Sequence, residues 1–328
     1  MSNKIPIIDV SAFVNNTENK TEVAEQINRA CREVGFFYII GHGIDVNLQL
    51  KLEEISKKFF ELPLESKLKT KRDAQLIGYF NVGDHLTSGL PDIREGIWIG
   101  EELDPDDEIA KQKTPLHGPN SFPDDDLPEF RHIILEYMNC LVNLGHKLVE
   151  CLALSLGLEG SYFYDRYTKK PFHQIGLSHY PPLKSNTEVK NWGFGEHTDY
   201  GLLTILKQDK TGGLQIKTQS NEWIDAPPIE NSFICNIGDM MDRITGGIYK
   251  STLHRVKVQL EKDRYSFPFF FEPNFFSKVK MIDGLNTTIE DKENRWDKVS
   301  VYDFDGTYGE YILNKVYAAV PEAQTSIQ

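Results

Sequence analysis

The sequence lacks the features that mark several large classes of protein. Its 328 residues include only four cysteines, and no two of them form a Cys-x-x-Cys pair. No apolar run approaches the ~18 residues that cross a bilayer, and the first residues lack the apolar core of a signal peptide. We therefore expect reduced thiols, no membrane segment and a cytoplasmic protein.

Positive charge is also scarce. The chain has 36 Lys and Arg against 49 Asp and Glu, a formal net charge of −13, and it contains no long basic run. The electrostatic attraction that drives binding to nucleic acids or anionic membranes is therefore missing. A small molecule or a protein is the expected partner, and we expect the chain to act as a monomer.

Apolar residues, by contrast, are plentiful at 40%, and aromatic residues make up 11%, which is enough for a well-packed core. In the first 125 residues, apolar periodicity and turn residues predict strands at 5–10 and 36–40 and helices at about 23–34 and 46–61. The stretch 69–128 is rich in Gly, Asp and Pro, so we interpret it as surface loops with one strand at 96–99. We expect residues 1–125 to form an α/β cap region.

The pattern changes in residues 126–328. A broad apolar face predicts one long helix from Leu127 to about Gly157, with Pro128 in its first turn and Asp126 available as its cap. A C-terminal helix is expected at about 308–317. Between them lie six short β-like runs separated by turns, at 174–180, 202–208, 214–217, 233–237, 254–259 and 265–272. This spacing predicts a mainly β fold with added helices, whose core is a double-stranded β-helix or jelly roll.

The stretch GEHTDYG places His197 and Asp199 two residues apart, ahead of an apolar strand. On a strand both side chains would point to the same face. A lone His-x-Asp triplet is usually a surface turn, but His254 opens another strand of the same barrel and supplies a third ligand. Two imidazoles and one carboxylate leave three positions open on an octahedral metal, which suits Fe(II) binding a cosubstrate and dioxygen. A zinc hydrolase is the alternative, although no positioned acid or base is evident.

Arg264 and Ser266 follow His254 and share one face of an aromatic strand. A guanidinium with a neighbouring hydroxyl can hold a carboxylate through charge-assisted hydrogen bonds. Arg264 could equally pair with a carboxylate of the protein itself. The metal ligands and this arginine together indicate a metal with open positions beside a clamp for a dicarboxylate.

The chain resembles the iron(II)- and 2-oxoglutarate-dependent dioxygenases of the isopenicillin N synthase-like superfamily over nearly its whole length. The resemblance is carried by IPIIDVSAF, CREVGFFYIIGHGI and FFELPLESK in the cap region, and by HTDYGLLTIL, NIGDMMDRITGGIYKSTLHRV and RYSFPFFFEPN in the core. It implies the following site residues: His197, Asp199 and His254 as iron ligands, Arg264, Ser266 and Tyr180 around 2-oxoglutarate, and Arg94 and Trp98 beside the substrate.

The resemblance implies an enzyme with Fe(II), 2-oxoglutarate and dioxygen, supported by ascorbate, that releases succinate and carbon dioxide. Its substrate would be a small metabolite, such as an amino-acid-derived natural-product precursor, and the outcome hydroxylation, desaturation or oxidative ring closure. Ser178 stands where many plant members carry Asn, which affects one cosubstrate contact. Two alternatives stay open: an oxidase of this fold that does not use 2-oxoglutarate, and a non-catalytic binding barrel.

Two groups of polar residues have structural interpretations. We expect His42, in a Gly-His-Gly turn, to hold that turn. Asp239, Asp242 and Arg243, in GDMMDR, are expected to form a polar network beside the core.

Overall fold

A computed structural model of the chain describes residues 4–72, 76–183, 192–259, 261–289 and 292–320. The strands are β1 (Ile7–Asp9), β2 (Phe36–Ile40), β3 (Gly78–Phe80), β4 (Leu86–Thr87), β5 (Leu90–Pro91), β6 (Glu95–Gly100), β7 (Phe172–Tyr180), β8 (Phe194–His197), β9 (Leu203–Gln208), β10 (Leu214–Lys217), β11 (Trp223–Asp225), β12 (Phe233–Ile237), β13 (His254–Val256) and β14 (Arg264–Glu272). The α-helices are α1 (Ser11–Val14), α2 (Lys20–Glu33), α3 (Val46–Glu61), α4 (Leu64–Leu68), α5 (Glu108–Lys111), α6 (Phe130–Ser155), α7 (Asp239–Thr245) and α8 (Tyr308–Ala319).

Two sheets form the core. The large sheet has the order β1-β2-β12-β9-β14-β7-β6-β3, and the small sheet has the order β11-β10-β13-β8. From β7 to β14 the chain passes repeatedly between the two sheets, and every pair in this part is antiparallel. Such an arrangement is a jelly roll, so the expected fold class is confirmed.

Strand β14 shows how the sequence produces the two layers. Phe267, Phe269 and Phe271 are fully buried on the side of α6, where the Phe271 ring lies against Gly145. The alternate residues face the space between the sheets, because side chains alternate along a strand. Gly145 has no room for a side chain: an added Cβ would come within 2.5 Å of the Phe271 ring.

The N-terminal strands extend the same large sheet. β1 and β2 add to one edge beside β12, and β6 and β3 add to the other edge beside β7. Helices α2 and α6 pack against each other, and α6 also contacts β9 and β14. The division of the chain at residue 125 stays a prediction.

Several sequence-based elements are confirmed, and two are wrong. β2, α3 and the C-terminal helix lie where they were expected. The long helix begins at Phe130, so neither Pro128 nor Asp126 has the expected role at its start. The backbone N–H groups of Asp126 and Leu127 bond instead to the Pro123 carbonyl, and this turn keeps the preceding segment out of the helix.

The segment 69–128 is also more regular than expected. It contributes β3, β4, β5, β6 and α5, and β6 pairs with β7 from Glu95 opposite His179 to Gly100 opposite Gln174. The predicted strand at 96–99 lies within β6, which also includes Gly100 and the buried Glu95. Its carboxylate accepts hydrogen bonds from Lys67 and Tyr79 and contacts His179, so a charge is satisfied inside the sheet.

All four cysteines are unpaired, and Cys31, Cys151 and Cys235 are buried. No helix within the described ranges has the length and apolar character needed to cross a membrane.

Candidate active site

The small sheet brings two histidines together. His197 is the last residue of β8 and lies directly opposite His254, the first residue of β13. Opposite residues of an antiparallel pair project to the same face. Asp199 lies beyond the end of β8, so the expectation that it shares a strand face with His197 is wrong. The loop that follows β8 nevertheless places its carboxylate beside the two imidazoles.

Backbone carbonyls orient both imidazole rings. Nδ1 of His197 lies 2.8 Å from the Gly195 oxygen, and Nδ1 of His254 lies 3.1 Å from the Thr252 oxygen. A carbonyl oxygen only accepts, so each Nδ1 carries a hydrogen, and a neutral ring then has its free lone pair on Nε2. The two Nε2 atoms lie 3.8 Å and 3.6 Å from Oδ1 of Asp199.

The two oxygens of Asp199 have different surroundings. Oδ2 accepts hydrogen bonds from Asn236 Nδ2, at 2.6 Å, and from the Thr204 hydroxyl. Oδ1 faces the two imidazoles, and the three candidate ligand atoms all lie within 4.8 Å of one another. Residues that hydrogen-bond to a metal ligand commonly fix its orientation in this way. Asn236 and Thr204 were missed by the sequence analysis, although a polar residue inside an apolar strand was a usable signal.

The charge state of this cluster suits a divalent cation. Burial lowers the pKa of His197, and the neighbouring His254 lowers it further, so His197 is neutral. Burial acts to raise the pKa of Asp199, but the two imidazoles and the hydrogen bond from Asn236 outweigh it and hold that pKa below its usual value. Two imidazole nitrogens and one carboxylate oxygen, with open positions beside them, are a donor set typical of Fe(II) oxygenases.

Arg264 lies at the start of β14 and is fully buried. Its Nε donates to the Gly212 carbonyl at 2.5 Å, and its guanidinium lies 4.6 Å from the centre of the Tyr180 ring. Its Nη1 has no hydrogen-bond partner among the described residues, and none of their carboxylates lies within 4.0 Å. A buried cation without a protein anion is costly, so this group suits an anionic ligand.

The expected companions of Arg264 lie beside it. Tyr180 of β7 is directly opposite Arg264, and Ser266 is two residues further along β14, opposite Ser178. These residues line one cavity of about 160 Å³ together with His197, Asp199 and His254. Ile312 and Val316 of α8 close part of its wall.

Arg94 and Trp98 line the same cavity. Arg72, His85 and Thr87, which the sequence analysis missed, line it as well. They lie in turns and in a two-residue strand, where no periodicity marks an inward-facing side chain. His42 holds its turn through a hydrogen bond from the Ile44 N–H to its Nδ1, as expected.

The expected polar network around α7 is also present. Asp239 pairs with Arg295 and accepts a hydrogen bond from Tyr311, and Asp242 accepts one from Tyr302. Arg243 donates to backbone carbonyls. These contacts tie α7 to the C-terminal segment.

Comparisons with known proteins show the family of the chain. Residues 5–125 match the family described as non-haem dioxygenase in morphine synthesis N-terminal, and residues 171–273 match the 2OG-Fe(II) oxygenase superfamily. The chain is similar to a full-length protein of Neurospora crassa whose crystal structure was solved in complex with alpha-KG and thymine. The TM-score is 0.81, with 29% identity over 97% of this chain and 98% of that chain.

Three curated relatives are more similar in sequence. A probable iron/ascorbate oxidoreductase of Dictyostelium discoideum is 43% identical over 99% of this chain and 97% of its own length. A 1-aminocyclopropane-1-carboxylate oxidase of Dictyostelium mucoroides is 42% identical over 97% and 96%, and a homoarginine-6-hydroxylase of Glycine max is 36% identical over 95% and 96%. With its His-Asp-His cluster and jelly-roll core, the chain therefore belongs to the 2OG-Fe(II) oxygenases of the isopenicillin N synthase-like superfamily, dioxygenases that use Fe(II) and 2-oxoglutarate to oxidise small metabolites.

Proposed function

We propose that His197, Asp199 and His254 bind the Fe(II), and that Arg264, Ser266 and Tyr180 hold the distal carboxylate of 2-oxoglutarate. The observation that carries this proposal is the buried Arg264, whose Nη1 has no protein partner among the described residues and which shares one cavity with the three metal-facing atoms. Bound Fe(II) with 2-oxoglutarate and dioxygen supplies the oxidising power, and the protein supplies position and a dry cavity.

Each protein group has a defined task. The carbonyls of Gly195 and Thr252 accept hydrogen bonds from Nδ1 of the two histidines and orient both rings so that Nε2 faces the metal. Asn236 and Thr204 hold one oxygen of Asp199, so the other points to the metal. The cavity walls are mainly apolar, which excludes water and strengthens the contacts of Arg264 with a carboxylate.

The organic substrate occupies the part of the cavity beside Arg94 and Trp98. We infer an amino acid or a metabolite derived from one, because two of the relatives are named for 1-aminocyclopropane-1-carboxylate and for homoarginine. The outcome on this substrate is hydroxylation, desaturation or ring closure.

The test is a screen of the purified protein with Fe(II), ascorbate and 2-oxoglutarate against amino acids and their derivatives. Succinate release that rises with one substrate, together with mass spectrometry of the oxidised product, would support the proposal. Oxidation of that substrate without any 2-oxo acid would instead favour an oxidase. Absence of a visible charge-transfer band when 2-oxoglutarate is added anaerobically to the Fe(II) protein would contradict the assigned cosubstrate site.

A further inference from the structure

The cavity contains a second cluster of cationic side chains, separate from Arg264. Arg94 is only 3% exposed, Arg72 is half-buried, and both contact the buried imidazole of His85. All three line the cavity that also holds the metal-facing atoms. They come from the segment 72–94, whereas Arg264 comes from β14.

The hydrogen bonds within this cluster cannot all be satisfied. Nδ1 of His85 lies 3.2 Å from Nη2 of Arg94, and Nε2 of His85 lies 2.7 Å from Nη1 of Arg72. A guanidinium only donates hydrogen bonds, and a neutral imidazole accepts at one nitrogen only. In one of these two contacts, therefore, two hydrogen-bond donors face each other without an acceptor between them.

His85 does not relieve this conflict by changing its charge. Burial lowers its pKa well below the usual value, and the charges of Arg94 and Arg72 lower it further. The ring stays neutral and stacks on Phe80 with the ring centres 4.0 Å apart.

Asp92 is the one carboxylate within 4.0 Å of Arg94 in the part of the chain that the structure describes. It approaches Nε at 3.4 Å, which is long for a charged hydrogen bond, and it also accepts hydrogen bonds from the Thr87 hydroxyl at 2.9 Å and the Gly195 N–H at 3.1 Å. Nη1 of Arg94 makes one more long contact, 3.4 Å to the Ser178 hydroxyl. The terminal nitrogens of Arg94 therefore keep most of their capacity to bind a planar acceptor.

Arg94 also lies near the metal-facing atoms. Its guanidinium carbon is 4.0 Å from the centre of the Phe194 ring, and that ring stacks on His197 with centres 3.8 Å apart. An anion bound by Arg94 would thus lie on the side of the cavity where His197 stands.

We propose that Arg94, together with Arg72 and His85, binds a carboxylate of the organic substrate, so that the enzyme acts on carboxylic acids. The inference rests on the proposed function, in which Arg264 holds the distal carboxylate of 2-oxoglutarate and the metal neutralises the other. A carboxylate between Arg94 and His85 would accept hydrogen bonds from Nη2 of Arg94 and Nδ1 of His85. These two donors would then no longer face each other without an acceptor.

The test measures binding and not turnover. The probes are 1-aminocyclopropane-1-carboxylate and L-homoarginine, each with its primary amide, titrated calorimetrically into the metal-free protein and into the anaerobic complex with Fe(II) and 2-oxoglutarate. We expect wild type to bind at least one acid 30-fold or more tightly than its amide, on the order of a hydrogen-bonded charge pair. Arg94→Met should abolish this preference, and Arg94→Lys should restore part of it because lysine keeps the charge but not the planar fork.

Two controls separate binding from folding. Arg94→Met combined with Asp92→Asn removes both charges of the pair and should show the same loss without leaving a buried carboxylate unpaired. Arg131→Met removes an arginine that also stacks on an aromatic ring and pairs with carboxylates, but outside the cavity, and it should bind the acids as wild type does. Thermal melts followed by circular dichroism check each variant.

Three results would overturn the proposal: equal affinity of wild type for acid and amide, no binding of either acid at millimolar concentration, or an Arg94→Met variant that loses 2-oxoglutarate affinity instead of acid affinity. The last would assign Arg94 to the cosubstrate. A wild-type complex that shows no 2-oxoglutarate charge-transfer band, yet still prefers the acids, would contradict the proposed function and leave this inference standing.

Discussion

The two walls of the cavity are built in different ways. The wall with Arg264, Ser266 and Tyr180 consists of long paired strands, in which the ladder register sets every side chain. The opposite wall, with Arg72, His85, Thr87 and Arg94, consists of turns and strands of two or three residues among the described residues 72 and 76–94, with positive φ at Leu76, Gly78, Gly83, Ser88 and Gly89. The groups assigned to the shared chemistry lie on strands or next to them, and those assigned to substrate selection lie mostly in the irregular wall. Functional variation commonly concentrates in such loops.

The largest effect should follow from loss of a metal-facing side chain on the regular side. His197→Ala and Asp199→Ala should each lower Fe(II) affinity by more than about 100-fold, because loss of a ligand exceeds the loss of a group that merely orients one. Metal content and succinate release with Fe(II) and ascorbate measure this effect. His132→Ala, at an exposed site on α6, is the matched control. Retention of wild-type metal content by either variant would show that the residue is not a ligand.

A smaller effect is expected at Arg264. Arg264→Ala leaves a carboxylate of 2-oxoglutarate unpaired, at a cost of about 2–5 kcal/mol, or roughly 30- to several-thousand-fold in affinity. Ser266→Ala and Tyr180→Phe each remove one contact and should cost about 1–3 kcal/mol. The dependence of succinate formation on 2-oxoglutarate concentration measures both. Metal content serves as the internal control, and an unchanged dependence in Arg264→Ala would place the cosubstrate elsewhere.

Thr87 tests the irregular wall. Its hydroxyl donates to Asp92 at 2.9 Å, and Thr87→Val removes that hydrogen bond while keeping the shape of the side chain. We expect about a fivefold higher KM for the organic substrate, which corresponds to roughly 1 kcal/mol, and an unchanged KM for 2-oxoglutarate. Steady-state kinetics with each compound varied in turn provides both values. A parallel change in the two KM values would mean that the walls are not functionally separate.

The smallest effect concerns the stability of the regular wall against pH. His179 of β7 contacts Glu95 and Asp263 at 2.7 Å each. Burial acts to lower its pKa, but these two carboxylates outweigh it and raise that pKa above its usual value. The stabilisation is therefore complete below about pH 6.5, the pKa of an unfolded histidine, and is lost as the pH rises through the raised pKa.

His179→Gln should accordingly lower the free energy of unfolding by less than about 1 kcal/mol, and only at pH values below the raised pKa of His179. Urea denaturation of wild type and variant at a series of pH values measures the difference, with His132→Gln as control. A difference that grows towards alkaline pH would contradict the assigned charge of the imidazole.

The regular wall of the cavity could be predicted from the sequence better than the irregular wall. Alternation along β14 is enough to place Arg264 and Ser266 on one face, and the apolar runs predict most strands of the core. The register that sets His254 opposite His197 could not be read from spacing, because the two strands are far apart in sequence and are brought together by the fold. His254 was chosen because it is a histidine that opens another strand predicted for the same barrel.

The irregular wall was the least predictable part. The segment containing His85 and Thr87 is held by contacts such as the hydrogen bond from Ser88 Oγ to the Glu196 carbonyl, which join residues distant in sequence. Neither helical nor strand periodicity marks such side chains. The burial of Glu95 could not be predicted for a related reason: a charge normally indicates exposure, and the three partners that satisfy this carboxylate are distant in sequence.

The position of α8 sets an order of events during synthesis. Ile312 and Val316 complete the cavity wall, yet α8 follows every strand of both sheets along the chain. The metal-facing residues and Arg264 therefore leave the ribosome before the helix that closes the cavity does. The part of the cavity wall that α8 supplies is therefore synthesised after both the metal-facing residues and Arg264.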